Sequence, residues 1–353
     1  MRVAIVGFGS IGEARIEAYR AIADVEVLAV VDPSPDRLRL VSVLARRVLQ
    51  YSNTTGLASA QLPIDVLDVC SPPVFHQAHI LFGLDHGCHV LCEKPVLLDT
   101  ATLPALQAAA RAAGRIIYPA HNYHFSPVMQ LLTESLRAGA IGQPEYGEIV
   151  VERTTHASGV RHWRPDWRRD ASIAGGGILI DHGIHAVYMI LRLCERLPDA
   201  VSCRTETDPP TGRNTCQTVE HTADLRLEFP GTLWLVRLTW NAQRRRNSYL
   251  VTGSAGRITV DDTDVTVDGW RGHYSRTIPS PATDPCHRDW FTDMFADFRR
   301  AIAAGDPKAH RLREAWATAL VLRSAYASAA REGSWIPVVE DNEHEGRTRT
   351  GAG

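Results

Sequence analysis

A glycine-rich turn near the start of the chain constrains the fold more than any other feature. The letters GFGSIG at 7–12 follow the apolar run RVAIV at 2–6 and precede a stretch of helical composition. Gly7 would permit a tight turn, Gly9 a close backbone approach to a pyrophosphate, and Gly12 close packing of helix on strand. Free N–H groups at the helix N-terminus then favour bound phosphates. The turn therefore predicts a dinucleotide-binding βαβ unit.

An acidic residue at the end of the next strand supports this interpretation. The run VEVLAVVD ends at Asp32, about 20 residues beyond Gly12, where a carboxylate binds the ribose hydroxyls of a dinucleotide. Because a carboxylate repels a 2′-phosphate, Asp32 favours NAD over NADP. Arg37 and Arg39 follow closely and could bind a 2′-phosphate, so NADP remains an alternative. We nevertheless expect both to be exposed helix residues.

Strand-like and helical runs alternate up to about residue 120, which predicts right-handed crossovers and a doubly wound parallel sheet. Beyond it, strand-like runs joined by turns such as 253–256 indicate an antiparallel sheet. Two late helical runs, 287–304 and 311–331, are expected to pack on one of the domains. The assigned ranges are 1–120 for the dinucleotide-binding domain, 121–338 for a second domain, and 339–353 for a polar tail expected to be disordered.

Composition narrows the class of protein. With 44% hydrophobic residues, 22% charged residues and a net charge of -2, the chain is typical of a soluble globular protein. This net charge does not indicate a basic surface for nucleic acid, and the basic run 244–246 is too short to form one. No run is apolar enough to predict a membrane span, and the strand beginning at Arg2 predicts no leader. Seven irregularly spaced cysteines then predict reduced thiols in the cytoplasm.

Metal binding is not expected. His86, Cys88, His89 and Cys92 lie close together in sequence, but alternate side chains of a strand point to opposite faces and no second ligand pair follows. Later in the chain, the motif DHGIH offers two ligands without an obvious third.

Five motifs occur in one order across residues 1–188: GFGSIG, DVCSPPVFH, HVLCEKPV, HNYHFSPV and GGGILIDHGIH. Together they resemble the glucose–fructose oxidoreductase/inositol dehydrogenase (Gfo/Idh/MocA) family. The resemblance implies a Rossmann domain plus an α/β domain with a large, mostly antiparallel sheet, which commonly supports homodimers or homotetramers. It also implies oxidation or reduction of a hydroxyl-bearing carbon on sugars, cyclitols and related molecules.

The resemblance carries roles onto individual residues. Lys94 of EKP corresponds to the catalytic lysine, and Asp181 and His185 correspond to its partners. Pro95 matches a turn that is often cis in the family. The cofactor-binding residues implied by the motifs are Gly7, Phe8, Gly9, Ser10, Ile11, Gly12, Asp32, Ser71, Pro72, His76, Glu93, Lys94 and Asn122.

These residue types suit proton transfer next to a nicotinamide. His185 would act as general base in oxidation or as acid in reduction, and Lys94 would stabilise negative charge on the reacting oxygen and join His185 in a proton relay. Asp181 would bind a neighbouring hydroxyl and orient His185. If 178–191 is α-helical, Asp181, His185 and Tyr188 share one face, while His182 points about 100° away and faces elsewhere.

The stretch 155–170, rich in Trp, Arg and His, is either a substrate-lining loop or a surface loop with packed tryptophans. An arginine there, Arg164 or Arg168, would hold a phosphate or carboxylate. Two residues depart from the family: Tyr188 replaces a frequent acid or amide, and Arg15 a frequent histidine. The substrate-binding candidates are Lys94, Tyr123, His156, Trp163, Arg164, Trp167, Asp181, His185 and Tyr188.

The sequence thus predicts an NAD-dependent dehydrogenase or ketoreductase acting on a cyclitol or sugar-derived substrate. Three alternatives remain open within the same resemblance. They are a glycosidase that recycles bound NAD, a reductase of C=N bonds, and a non-catalytic regulator that binds NAD(H).

Overall fold

The structure, a computed structural model, describes residues 1–161, 163–208, 219–270, 272–278, 287–305 and 310–340. Most of the tail predicted at 339–353 lies outside these residues. Within them the chain forms two β-sheets with helices packed against both.

The first sheet is parallel throughout and has the strand order β3-β2-β1-β4-β5-β6. Its strands are β1 (Arg2–Val6), β2 (Glu26–Val31), β3 (Leu49–Tyr51), β4 (Val66–Val69), β5 (His89–Cys92) and β6 (Ile117–Pro119). The helices between them are α1 (Ser10–Arg20), α2 (Pro35–Leu44), α3 (Thr54–Ser59), α4 (His76–Asp85) and α5 (Leu103–Ala113). The predicted doubly wound sheet is confirmed. The strand order reverses between β1 and β4, and ligands of such sheets bind outside the carboxyl ends of the strands at that point.

The second sheet is large and mostly antiparallel, as predicted, with the order β14-β13-β12-β11-β7-β10-β9-β8-β15 and one parallel pair, β7 with β10. Its strands are β7 (Pro144–Glu152), β8 (Ala200–Thr207), β9 (Glu220–Phe229), β10 (Thr232–Thr239), β11 (Arg246–Gly253), β12 (Gly256–Asp261), β13 (Asp264–Gly269), β14 (Gly272–Thr277) and β15 (Ile336–Pro337). The remaining helices are α6 (Pro127–Arg137), α7 (Ala171–Ala174), α8 (Ile184–Cys194), α9 (Arg288–Ala304) and α10 (His310–Ala329).

The two late helices join the parts of the molecule. On α9, Phe291 and Phe295 contact the ring of Tyr19 edge-on, at centroid distances of 5.0 and 5.1 Å. This aromatic cluster belongs to the core beneath the first sheet. Helix α10 contributes buried residues to cores on both sides, Leu312 to the first and Val321 to the second. Because α9 returns to the first sheet, the domain bounds at residue 120 stay a prediction.

Among the described residues one apolar stretch, Ala171–Cys194, is long enough to cross a membrane by length and composition alone, although the sequence had predicted none. Its most apolar window has a mean hydropathy of 1.3, and 67% of that window is buried inside the protein. Burial of this kind is typical of a core helix, which is how α8 packs against the second sheet.

Candidate active site

A cavity of about 730 Å³ runs from the carboxyl ends of β1, β4 and β5 to the segment that leads into α8. The GFGSIG turn and Asp32 line one end of it. Lys94, Asp181 and His185 line the other. The two regions that the sequence assigned to cofactor and to chemistry therefore meet in one continuous space.

The glycine turn has the shape that a dinucleotide requires. Gly7 has a φ of +94°, and a Cβ there would lie 2.6 Å from the backbone nitrogen of Ser71. Nothing lies within 4 Å of a Cβ built on Gly9, so its backbone is open to the cavity. A Cβ on Gly12 would lie 2.3 Å from the carbonyl oxygen of Gly7, where α1 packs closely on the turn. These observations fit a pyrophosphate over Gly9 at the N-terminus of α1.

Asp32 lies where the sequence predicted it, at the end of β2. Its carboxylate accepts hydrogen bonds from the backbone N–H groups of Phe8, at 2.7 Å, and Ser34, at 2.8 Å, and it lines the cavity. The prediction that Arg37 is exposed is wrong. Arg37 is buried, donates to the carbonyl of Phe8 and pairs with Glu13 at 2.9 Å. It braces the glycine turn, so it is not free to bind a 2′-phosphate.

Ten of the thirteen predicted cofactor residues line the cavity, and three do not: Phe8, Gly12 and His76. The Phe8 side chain is fully buried in the core. His76 is also buried, and its ring nitrogens lie 2.7 Å from the carbonyl oxygen of Pro95 and 2.6 Å from that of Ser71. His79, which the sequence did not single out, faces the cavity instead and lies 2.9 Å from the Ser71 hydroxyl.

Lys94 connects the two halves of the molecule. It follows β5, and the Lys94–Pro95 peptide bond is cis, as the resemblance implied. Its ammonium donates to the backbone oxygen of Asp181 at 2.6 Å and to the carboxylate Oδ1 of Asp181 at 3.2 Å. The preceding residue, Glu93, accepts from the buried Arg15 at 2.6 Å. These contacts hold the Lys94 ammonium at the cavity wall.

Asp181 carries negative charge in this site. Burial alone would raise its pKa, but Lys94, His182 and Arg168 outweigh that effect and hold the pKa of Asp181 well below its usual value of 3.8. The carboxylate lies 3.2 Å from His182 Nδ1 and 3.5 Å from Arg168 Nε. Asp181 therefore stays a carboxylate at neutral pH.

The prediction that His182 faces elsewhere is wrong, since its side chain lines the cavity beside Asp181. The reason is a change of helix type. Leu179–Gly183 form a π-helical turn, and the α-helix begins only at Ile184. A π-turn has more residues per turn than an α-helix, so the spacing of about 100° per residue does not apply across it.

His185 is oriented by Tyr188, where the sequence predicted Asp181 in that role. The Tyr188 hydroxyl lies 2.7 Å from His185 Nδ1 and accepts the backbone N–H of Tyr123 at 3.2 Å. A phenol has one hydrogen, and His185 Nδ1 is the one acceptor for it among the described contacts of the Tyr188 hydroxyl, so we infer that the hydrogen points to Nδ1. Nδ1 is then an acceptor and Nε2 carries the hydrogen of the neutral ring. Burial, followed by Lys94 and His182, lowers the pKa of His185 well below 6.5, which keeps the ring neutral.

Tyr188 itself does not reach the cavity, contrary to its prediction as a substrate-binding residue. It is fully buried, and its ring is stacked on His121 at a centroid distance of 4.1 Å. Burial also raises its pKa well above 10.0, so the hydroxyl keeps its proton. Tyr188 acts on the cavity only through His185.

Part of the stretch 155–170 lines the cavity, as one of its two interpretations predicted. Trp163, Trp167 and His156 all face it. Arg168 lies over the Trp167 ring, 4.3 Å from its centroid. Arg164 does not line the cavity; it is exposed and lies 3.7 Å from Asp170.

Sequence reasoning also missed the cavity residues Arg153, Arg245 and His287. Arg153 directly follows β7 and Arg245 directly precedes β11, strands that pair in the sheet. No local motif marks them, because the sheet register alone brings the two arginines together. His287 directly precedes α9 and stacks on Trp290 at 3.8 Å.

The buried Glu220 holds the glycine motif in place. Its Oε1 accepts from the backbone N–H groups of Gly177 and Leu179, at 2.9 and 3.0 Å, and from the hydroxyl of Tyr326, at 2.8 Å. A Cβ on Gly177 would lie 2.0 Å from the Glu220 carbonyl oxygen, so a side chain does not fit there. Three donors on one carboxylate fix the start of the π-turn that carries Asp181.

Replacing Glu220 by alanine should lower the free energy of unfolding by about 3 kcal/mol or more, because two buried N–H groups and a hydroxyl lose a charged acceptor. Urea unfolding followed by circular dichroism measures this. Glu134→Ala, at an exposed position of α6, is the matched control and should change the value by about 0.5 kcal/mol or less. Equal losses in the two variants would contradict the role given to Glu220.

The cysteines near His86 do not form a cluster. Cys88 and Cys92 are buried free thiols, while His86 is exposed. In the described part of the chain, one group of metal-ligating residue types converges elsewhere. It comprises His121, His124 and Glu314, and their ligand atoms lie within 4.8 Å of one another. Glu314 is hydrogen-bonded to His124 there, which ties α10 to the segment after β6.

Comparison with known families gives two matches along the chain. Residues 1–121 match the model described as an oxidoreductase family with an NAD-binding Rossmann fold, GFO/IDH/MocA. Residues 129–259 match the GFO/IDH/MocA C-terminal domain. Both matches follow the order of the two sheets.

Individual proteins agree with this. The chain is 31% identical to the D-glucoside 3-dehydrogenase of Escherichia coli (strain K12) over 200 residues, 54% of each chain. It is 24% identical to the myo-inositol 2-dehydrogenase of Thermotoga maritima over 203 residues, 52% of this chain and 60% of the relative. The matches thus span about half the length of these relatives. A structure of levoglucosan dehydrogenase with NADH and levoglucosan superposes with a TM-score of 0.79 at 22% identity, covering 96% of this chain and 100% of the other, and shares its fold.

Proposed function

The chain belongs to the Gfo/Idh/MocA oxidoreductase family, and from that premise we propose that it is an NAD-dependent dehydrogenase or ketoreductase of a sugar or cyclitol. The observation that carries the proposal is the contact of Lys94 with Asp181, 2.6 Å to the backbone oxygen, in the cavity that the glycine turn also lines. A secondary alcohol and its ketone are the pair that this centre would interconvert.

The residues present fit NAD. Gly9 leaves its backbone open, and Asp32 lines the same end with a carboxylate that would accept the ribose hydroxyls. NAD when bound supplies the acceptor or donor of hydride. Arg37 is occupied by Phe8 and Glu13, so it offers no free guanidinium beside Asp32, and we propose NAD in preference to NADP.

The chain's own residues would position the substrate and move one proton. Lys94 as ammonium donates to the reacting oxygen and gives up its proton in reduction; as amine it accepts the alcohol proton in oxidation. His185, neutral and with hydrogen on Nε2, donates a hydrogen bond to the same oxygen and stabilises its negative charge. Asp181 keeps Lys94 in place and accepts from a neighbouring substrate hydroxyl. This assigns the proton to Lys94, where the sequence had favoured His185 as the base.

A panel assay tests the proposal directly. Purified protein is mixed with cyclitols, glycosides, sugars and sugar phosphates, with NAD and NADP in separate series, and the NADH absorbance band and free sugar are both followed. The proposal expects net NADH formation with NAD. Free sugar released from a glycoside without net NADH would favour the glycosidase alternative. Absence of both signals from a protein that binds NAD would favour the regulator.

The neutral state of His185 has a consequence for pH dependence. A histidine whose folded pKa is depressed takes its proton only below that pKa, and the pKa of His185 lies well below 6.5. We therefore expect that protonation of His185 does not lower kcat/KM as the pH falls from alkaline values to 6.5. An acid limb with an apparent pKa near 6.5 that disappears in His185→Gln would contradict this account.

The open face of the large sheet is the proposed assembly surface. Along β9 the side chains alternate between buried and exposed, and Asp224, Arg226 and Glu228 point outward. We propose a homodimer or homotetramer through this face, which light scattering on the purified protein measures. The cytoplasmic location expected from reduced cysteines also stays a prediction; five free thiols occur among the described residues.

A further inference from the structure

The cavity beyond Lys94 has an excess of positive charge. Lys94, Arg153, Arg168 and Arg245 line it. Three carboxylates line the cavity within the described ranges, and none of them forms an ion pair with Arg153 or Arg245. Asp32 lies at the end beside the glycine turn, Glu93 pairs with Arg15, and Asp181 pairs with Lys94. His182 and His185 add no negative charge to balance the arginines.

Arg153 is a buried cation held only by neutral acceptors. It is 7% exposed, and it donates to the backbone oxygens of Glu152 and Arg246, at 2.7 and 3.3 Å, and to Asn247 Oδ1 at 2.9 Å. No carboxylate of the described residues forms an ion pair with it. Buried charges in proteins are normally paired with an opposite charge. Burial lowers the pKa of Arg153, as does the nearby Arg245, and the opposing effects of Tyr123, Tyr249 and Asp181 do not reverse this shift.

The other two arginines extend the same electropositive wall. Arg245 is exposed, lines the cavity, and forms no ion pair with a described residue. Arg168 lies over Trp167, and its Nε, 3.5 Å from Asp181, makes no hydrogen bond within the described structure. An anion placed here would meet guanidinium groups from two paired strands and from the 155–170 stretch.

We propose that the substrate carries an anionic substituent, a carboxylate or a phosphate, which binds between Arg153 and Arg245 while the reacting carbon lies at Lys94 and His185. A sugar acid or a sugar phosphate has this chemistry. The inference rests on the proposed function and narrows its substrate class. Charge-assisted, forked contacts from arginine to a planar carboxylate or to a phosphate would supply the recognition.

Calorimetric titration of the NADH-loaded protein tests this with three ligands of one sugar: methyl β-D-glucoside, its 6-carboxylate (the methyl glucuronide) and glucose 6-phosphate. At least one charged ligand should bind about tenfold or more tightly than the neutral glucoside. Arg245→Gln should weaken the charged ligand about fivefold and leave the neutral one unchanged. Arg244→Gln is the matched control, since Arg244 is exposed and does not line the cavity, and it should behave as the wild type. Which charged ligand binds distinguishes carboxylate from phosphate.

Three outcomes would overturn the inference: equal or tighter binding of the neutral glucoside, equal effects of Arg245→Gln on charged and neutral ligands, or no binding of either charged ligand. The proposed function fails by a different result. If the protein does not take up NADH in the loading step and turns over no member of the panel, the function is wrong, whereas failure of the charged ligands alone leaves it intact.

Discussion

Replacing Lys94 by methionine is expected to lower kcat about 10³-fold, because the change removes both the donor to the reacting oxygen and the group that carries its proton. The unbranched methionine side chain keeps much of the packing, and the glycine turn and Asp32 are untouched. Binding of NADH, measured by its fluorescence, should therefore remain within a few-fold of the wild type. The loss should appear in kcat and equally in kcat/KM, as for an interaction made in the transition state.

Arg39→Met is the control for removing a cation. Arg39 is exposed on α2 and pairs with Asp36, away from the cavity. It should leave both kcat and NADH binding unchanged. Retention of wild-type kcat in Lys94→Met would contradict the assignment of the proton to Lys94.

His185 should show a different pattern, in which glutamine rescues and leucine does not. His185→Leu is expected to lower kcat about 10²-fold, the usual effect of removing one donor from a developing oxyanion. His185→Gln keeps an N–H donor of similar reach, so its kcat should stay within about tenfold of the wild type. If His185 were instead the group that accepts the proton, glutamine and leucine would be equally inactive, since neither side chain takes up a proton at neutral pH.

The tautomer of His185 can be observed without any substrate. Nitrogen-15 chemical shifts, assigned by difference from His185→Gln, should show the hydrogen on Nε2 and a bare Nδ1. In Tyr188→Phe the donor to Nδ1 is lost while the ring remains, so both tautomers should appear. Tyr146→Phe removes a hydroxyl that contacts Glu148 outside the cavity and is the matched control. Hydrogen on Nδ1 in the wild type would contradict the role given to Tyr188.

The cofactor half of the site could be predicted because the residues that form it lie close together in sequence. A strand, a glycine turn and a helix N-terminus are consecutive in sequence, and Asp32 ends the next strand. The contact between Lys94 and Asp181 is different, since 87 residues separate them. Only the resemblance to the family predicted that Lys94 and Asp181 act together. Arg37 was misjudged because helix composition does not reveal that its side chain reaches the Phe8 carbonyl and Glu13.

Predictions at the glycine-led motif failed where helix geometry changed. An α-helical wheel placed His182 away from the cavity, but the π-turn at Leu179–Gly183 brings it beside Asp181. Tyr188, three residues after His185 within α8, was predicted to face the substrate with His185, yet it contacts His185 from behind and does not line the cavity. Arg153 and Arg245 could not be found from sequence, because only the pairing of β7 with β11 brings them together.

The central claim is that Lys94 exchanges a proton with a sugar or cyclitol alcohol, with His185 donating a hydrogen bond to the reacting oxygen and Asp181 holding Lys94, while NAD takes the hydride. The most direct measurement is a single turnover of the NAD-loaded protein with each member of the polyol and sugar panel, followed at the NADH absorbance band. The account predicts one equivalent of NADH per site with at least one substrate in the wild type, and none on the same timescale in Lys94→Met. A wild-type protein that binds NAD and forms no NADH with any of them, or a Lys94→Met protein that forms it as fast, would contradict the account.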